Sequence, residues 1–368
     1  MNNPPYIFAN EVATATTAPR FPIPYSSGGV PAINVSNGID YHLDAEPYIM
    51  QWNVNVQREL FDATSVTVGY VGSRGENLLK QVDLNPVNPS VVNGVTVYGV
   101  PRGATVNGIA SNLRQNPLYA GLTYNKANTW STYHSLQTSL NRRFNKGLQA
   151  QISYTLSKCT DLSSGSFGGE GSTASTNPYD VNYDEGPCYF DRRHNFRGSG
   201  IWALPFQGNA LVEGWEVATI VSAVSGRPFT PAIGFDQSGL QTGNQRPNLA
   251  SGRDIEDVVT GNINQWFDPT AFALPAPGTL GTVGRHSLRG PKFFTTDLTI
   301  MRNVPVGHSQ LQFRLEGFNI FNTTNFNLPN ANVFVQGPGG GGTINPTAGQ
   351  ITSALAPRQL QVAVRVNF

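Results

Sequence analysis

The sequence predicts an all-β protein, an antiparallel transmembrane β-barrel present as its C-terminal part, with about nine long strands, short periplasmic turns and long extracellular loops. Three observations predict it. Apolar and polar residues alternate in segment after segment, with Gln, Asn, Ser and Thr on the polar side. The links between these segments are alternately short and long. Charged residues make up only 13% of the 368 residues, while 39 Gly and 26 Pro leave few good helix formers. No stretch approaches the roughly 18 to 20 apolar residues of a membrane-spanning helix, and alternating strands keep average hydropathy low enough for a membrane barrel to escape that test.

In "YIMQWNVNVQREL", Tyr48, Met50, Trp52, Val54 and Val56 fall on one side of an extended chain and Gln51, Asn53, Asn55, Gln57 and Glu59 on the other. Val66, Val68 and Tyr70 continue the pattern over Thr64 to Tyr70. The clearest pair is "YHSLQTSLNRRFNKGLQAQISYTLSK", where the turn signal "NKG" separates Leu136, Leu140 and Phe144 from Leu148, Ala150, Ile152, Tyr154 and Leu156. Further strands are expected at His194 to Leu204, Trp215 to Ser225, Phe293 to Asn303 and Gln310 to Phe321. The chain closes on "RQLQVAVRVNF", with Leu360, Val362, Val364, Val366 and Phe368 on one face. Short links are expected at Leu60 to Ala63, Asn145 to Gly147, Phe206 to Gly214 and Pro305 to Ser309, and long ones over 73–130, 159–192, 226–292 and 322–356. A soluble all-β binding module, using loop aromatics such as Tyr119, Tyr124 and Trp130, also alternates, but its wet face would use more Lys and Glu and its strands would be shorter.

Taken together, "YIMQWNVNVQREL", "VTVGYVGSRGENLL", "YHSLQTSLNRRFNKGLQAQISYTLSK", "YFDRRHNFRGSGIWALPF", "GWEVATIVSAVSGRPFTP", "WFDPTAFALPAPGTLGTVGRHSLRGPKFFTTDLTIMRNVPV" and "LQFRLEGFNIFNTTNFNLPN" resemble, in this order, the barrel of TonB-dependent outer-membrane receptors of the Oar-like type, which carry a carboxypeptidase-regulatory-like N-terminal domain. The resemblance implies a cell outer membrane location, a barrel of about 22 strands plugged by a separate domain, and uptake of a bulky ligand. On this expectation residues 1–46 are the irregular remnant of an extracellular loop, and residues 47–368 are the C-terminal barrel portion without its plug. Such a piece would not transport alone. The implied partners are outer-membrane lipid, the barrel-assembly machinery, the plug and remaining strands of a parent receptor, and TonB through the parent's N-terminal part. A row such as Leu360, Val362, Val364, Val366 and Phe368 is, by the same resemblance, the signal read during assembly.

A net charge of +1 gives no support to nucleic-acid binding. Cys159 and Cys188 flank one long loop, and in an exported protein they are expected to form a disulfide closing about 30 residues, worth about 3–4 kcal/mol in the chain-entropy model. "DVNYDEGPCYFD" (Asp180 to Asp191) imitates a calcium-loop rhythm, but its glycine, Gly186, comes one place late. These carboxylates are therefore expected to be solvated, with Asp191 pairing Arg192 or Arg193. "GPGGGG" lacks the Lys-Ser/Thr ending of a phosphate loop. None of His42, His134, His194, His286 and His308 stands near a nucleophile motif. No catalytic residue, metal or cofactor is expected; Arg143, Arg314 and Glu316 are expected to face a wet lumen.

Overall fold

The computed structural model describes residues 33–39, 45–99, 114–115, 119–164, 174–209, 212–307, 309–337 and 341–368. Nine strands form one continuous antiparallel path in chain order: β1 (Tyr48–Phe61), β2 (Thr64–Asp83), β3 (Tyr119–Asn145), β4 (Leu148–Asp161), β5 (His194–Ala203), β6 (Trp215–Val224), β7 (Phe293–Val306), β8 (Ser309–Phe318) and β9 (Gln359–Asn367). Among the described residues, β1 and β9 each pair on one side only, so the sheet has two open edges.

The register makes the alternation of single strands add up. Val54 pairs with Tyr70, Tyr70 with Leu136, and Leu136 with Leu156. Farther along, Leu148 pairs with Trp202, Trp202 with Val217, Val217 with Ile300, Ile300 with Leu315, and Leu315 with Val362. Since directly paired residues point to the same side, one unbroken apolar face runs across all nine strands. The opposite face carries Gln51, Ser135, Gln151, Arg197, Asn303, Gln312 and Gln361. Many residues on the apolar face are uncovered: Val54 is 68% exposed and Val362 77%.

Short links lie along one edge of the sheet. At Lys146 and Gly147 both φ angles are positive (51° and 78°), the backbone of a two-residue turn whose twist matches its strands. Gly147 suits that conformation, and a Cβ there would meet the Ala203 carbonyl at 2.8 Å.

Long connections lie along the other edge and fold into a cap with a core of its own. Phe229, Phe267, Phe272, Leu288, Val333 and Phe334 cluster there, with Phe267 and Val333 fully buried. Short strand pairs hold the cap, including Pro228–Phe229 with Leu288–Arg289 and Asn332–Gln336 with Gly342–Ile344.

Three expectations need correction. The connection expected over 73–130 is strand at both its ends, because β2 runs to Asp83 and β3 starts at Tyr119. Their upper rungs, such as Lys80 with Lys126, carry no apolar alternation, since that part is covered by the cap instead. Trp130, expected in a loop, therefore lies within β3, as does Tyr124. Within residues 1–46, expected to be irregular, Ile33–Ile39 forms a strand parallel to the upper end of β3. The remaining residues of that segment, apart from 45 and 46, lie outside the described residues.

Candidate functional site

The cap is fastened to the ends of β2 and β4 by buried ion pairs. Asp184 ends a short 3-10 turn, Val181–Asp184, that Asp180 caps through the Asn182 amide. Lys80 Nζ donates to Asp184 Oδ2 at 2.8 Å, and Arg246 Nη1 donates to Oδ1 at 2.8 Å. Arg246 also donates to the carbonyls of Val283 and Tyr183 and lies 3.9 Å from the Tyr183 ring centre. Burial by itself would raise the Asp184 carboxyl, but the charges and hydrogen bonds of Lys80 and Arg246 outweigh it and hold the pKa at about 2. Asp184 is thus a buried anion between two cations from distant parts of the chain.

A second fastening joins Arg285 to Asp161 at the end of β4, and Arg285 Nε also donates to the Asp184 carbonyl at 2.6 Å. Beside it, His286 Nδ1 lies 2.7 Å from the Pro187 carbonyl oxygen and acts as the donor. Burial and the neighbouring Arg285 charge push the His286 pKa down to about 4, so its ring is neutral at pH 7. Cys159 and Cys188 are joined as a disulfide with Cα atoms 5.3 Å apart, closing the loop that contains Asp184. Asp191 accepts from the Cys159 amide at 3.0 Å and pairs with Arg289. The carboxylates of "DVNYDEGPCYFD" therefore diverge to separate partners. Two expectations fail here: Asp184 is buried rather than solvated, and Asp191 pairs with Arg289 rather than Arg192 or Arg193. Arg289 lies about a hundred residues away, and local spacing carries no signal of such a partner. Among the described residues no cluster of metal-ligating side chains occurs.

On the polar face of the sheet, Arg314 and Glu316 pair at 2.6 Å. Nearby, Gln312 donates to Asn303 and Asn303 to Glu216, a ladder across β8, β7 and β6. Arg143 is exposed and far away, beside the turn to β4, where its amide donates to the Ala63 carbonyl. The structure thus brings Arg314 and Glu316 together and leaves Arg143 apart. Leu360, Val362, Val364 and Val366 form the exposed apolar row of β9, and Phe368, one residue beyond the strand, is fully exposed.

Residues 1–361 match the family model described as an outer membrane beta barrel domain. The chain belongs to that family. The backbone is also similar to the crystal structure of the outer membrane transporter YddB from Escherichia coli, with a TM-score of 0.46 and 9% identity over 91% of this chain. The chain spans 34% of the length of that transporter. No functionally curated protein matches it.

Membership places the chain in the outer membrane, which sets aside the soluble binding module and gives each face of the sheet a solvent. In a membrane barrel an apolar face of this kind meets lipid and the polar face the interior. In such barrels short turns are periplasmic and long loops extracellular. On the lipid side near the loop edge, Tyr70 and Tyr154 hydrogen-bond His134 and His194 at 2.7 and 2.8 Å. Trp202 and Trp215 lie on the same side near the turn edge, with Arg302 5.4 Å from the Trp215 ring centre. Aromatic residues with one polar end suit both interfaces. His134 and His194 are placed by these contacts, whereas His42 and His308 lie outside the described residues, as do the residues 338–340 of the glycine-rich stretch and the Tyr119 side chain.

Proposed function

We propose that this chain is the C-terminal wall of a larger TonB-dependent receptor of the Oar-like type that takes up a bulky ligand, and that it does not transport alone. The observation that carries the reading is the pair of open edges. β1 leads into a short turn and β9 follows a long loop, so both edge strands run from the extracellular to the periplasmic side. Unpaired backbone groups in lipid cost several kcal/mol each, which makes a free edge untenable across the bilayer. Two edges that run the same way cannot pair antiparallel with each other, nor with those of a second copy inserted in the same orientation.

An odd number of further strands closes the barrel with every pair antiparallel. About thirteen would complete the size class of about 22 strands whose lumen holds a plug. The polar face, with Gln, Asn, Ser and the Arg314–Glu316 pair, suits the wet wall around such a plug. In this reading the plug, the remaining strands and TonB contact come from elsewhere in the parent receptor. The apolar row from Leu360 to Phe368 serves the assembly machinery, and no step is enzymatic.

Affinity purification of the tagged chain from its own outer membrane, followed by mass spectrometry, tests this. The expected result is strands and a plug, either on a continuous longer polypeptide or on a tightly held second one. Recovery of the chain as a closed barrel of its own mass would overturn the reading.

A further inference from the structure

Beneath the cap, basic side chains outnumber carboxylates among the described residues. Lys80, Arg246 and Arg285 line a cavity of about 190 Å³ with His286, Thr176 and Asn244. The carboxylates facing these cations are Asp184, paired with Lys80 and Arg246, and Asp161, paired with Arg285. Among the described residues three basic side chains stand against two carboxylates, and the imidazole of His286 adds no negative charge. Lys80 and Arg246 side chains are 2% and 1% exposed. Charge at such depth is strongly unfavourable unless it is paired.

Free donors accompany the excess. An ammonium group has three protons, and Lys80 gives two of them to the Leu162 carbonyl at 3.0 Å and to Asp184 at 2.8 Å. Its third has no protein partner among the described residues. Arg246 spends one hydrogen bond on each of its three nitrogens, which leaves two of its five N–H groups for a further acceptor. Apolar Leu162, Phe229 and Leu328 complete the walls. The volume is several times the ≈ 30 Å³ share of one water molecule, which is room for a group of a few heavy atoms.

We propose that this cavity is a binding site for a small oxyanion of the carboxylate or phosphate class, held by charge-assisted hydrogen bonds from Lys80 and Arg246. The proposal stands whether or not the sheet belongs to a transporter. Each such hydrogen bond is stronger than a neutral one.

Titration calorimetry on the full chain folded in detergent, in low-salt zwitterionic buffer, tests it with inorganic phosphate, acetate and uncharged glycerol. Phosphate or acetate is expected to bind saturably with one site per chain, and glycerol is not. Lys80→Met is expected to weaken binding about tenfold or more, the loss of one charge-assisted contact. Ala174→Leu fills the cavity without touching an ion pair and is expected to do the same, while Lys292→Met, outside the cavity, leaves binding unchanged. Absence of saturable binding to wild type overturns the proposal, as does wild-type affinity in Ala174→Leu, which decides the matter even where Lys80→Met disturbs the cap.

Discussion

The sheet and the cap put their apolar residues in opposite places. In the sheet Val54 and Val362 stand 68% and 77% exposed, whereas in the cap Phe267 and Val333 are fully buried. The polar groups reverse too: the sheet leaves Gln and Asn uncovered on its interior face, and the cap buries Lys80, Asp184 and Arg246 in its depths. One chain therefore obeys two solvents. The sheet is stabilised by transfer of one face into hydrocarbon and by backbone pairing between neighbouring strands, its two open edges apart. The cap follows the rules of a water-soluble domain, with an apolar cluster, a disulfide and buried ion pairs. It follows that the two regions should fail separately and for different reasons.

The largest expected separation comes from Asp184→Ala. It leaves Lys80 and Arg246 buried without a counter-charge, a change worth about 3–5 kcal/mol. Hydrogen exchange should rise across 225–292 and around 180–191, while the strands keep their protection and the protein its resistance to unfolding in detergent. Replacing Cys159 and Cys188 by Ser should cost the cap about 3–4 kcal/mol by lengthening its unfolded loop; limited proteolysis within 162–193 is the readout, and the sheet again should not respond.

Acid should distinguish the regions next. His286 ionises near its ordinary value of 6.5 when unfolded and at about 4 when folded. Below 6.5 the unfolded cap binds a proton that the folded cap refuses, so cap stability falls as pH drops from 6.5 to 4, by about 3 kcal/mol in all. Asp184 acts lower: its contribution is complete above 3.8 and is lost only as pH falls toward about 2. Protease sensitivity of the cap measured from pH 7 to 4 should rise, and His286→Gln should flatten that rise. A sheet substitution inverts the logic. Ile152→Arg, on the lipid face, should cost the sheet about 2–4 kcal/mol near the bilayer midplane, and its neighbour Gln151→Arg, on the interior face, close to nothing, as read by refolding into lipid vesicles.

This division also explains what was legible in the sequence. Strands β4 and β9 could be read residue by residue, because a wall between lipid and water imposes a period of two on every side chain it contains. The "NKG" turn was legible for the same local reason. Above the membrane that constraint disappears, so the upper halves of β2 and β3 looked like loop. The fastening of the cap was mostly illegible: Lys80, Asp184 and Arg246 are scattered over more than 160 residues, and nothing near any of them announces the other two. The same holds for Asp191 and Arg289. The two cysteines stood out only because they are the sole pair in the chain. Arg314 and Glu316 could be placed on one face by their spacing, whereas Arg143 lay past the irregularity between Arg142 and Asn145 that ends β3.

The central claim is that the face running from Val54 through Leu136 and Trp202 to Val362 touches lipid and its reverse touches water. Single spin labels placed in turn at residues 149–156, in protein reconstituted into bilayers, test it directly through their collision rates with oxygen and with a water-soluble nickel complex. The account predicts that labels at Ala150, Ile152, Tyr154 and Leu156 meet oxygen preferentially and those at Gln149, Gln151, Ser153 and Thr155 meet nickel, with a period of two. Equal nickel access along both sets would contradict it.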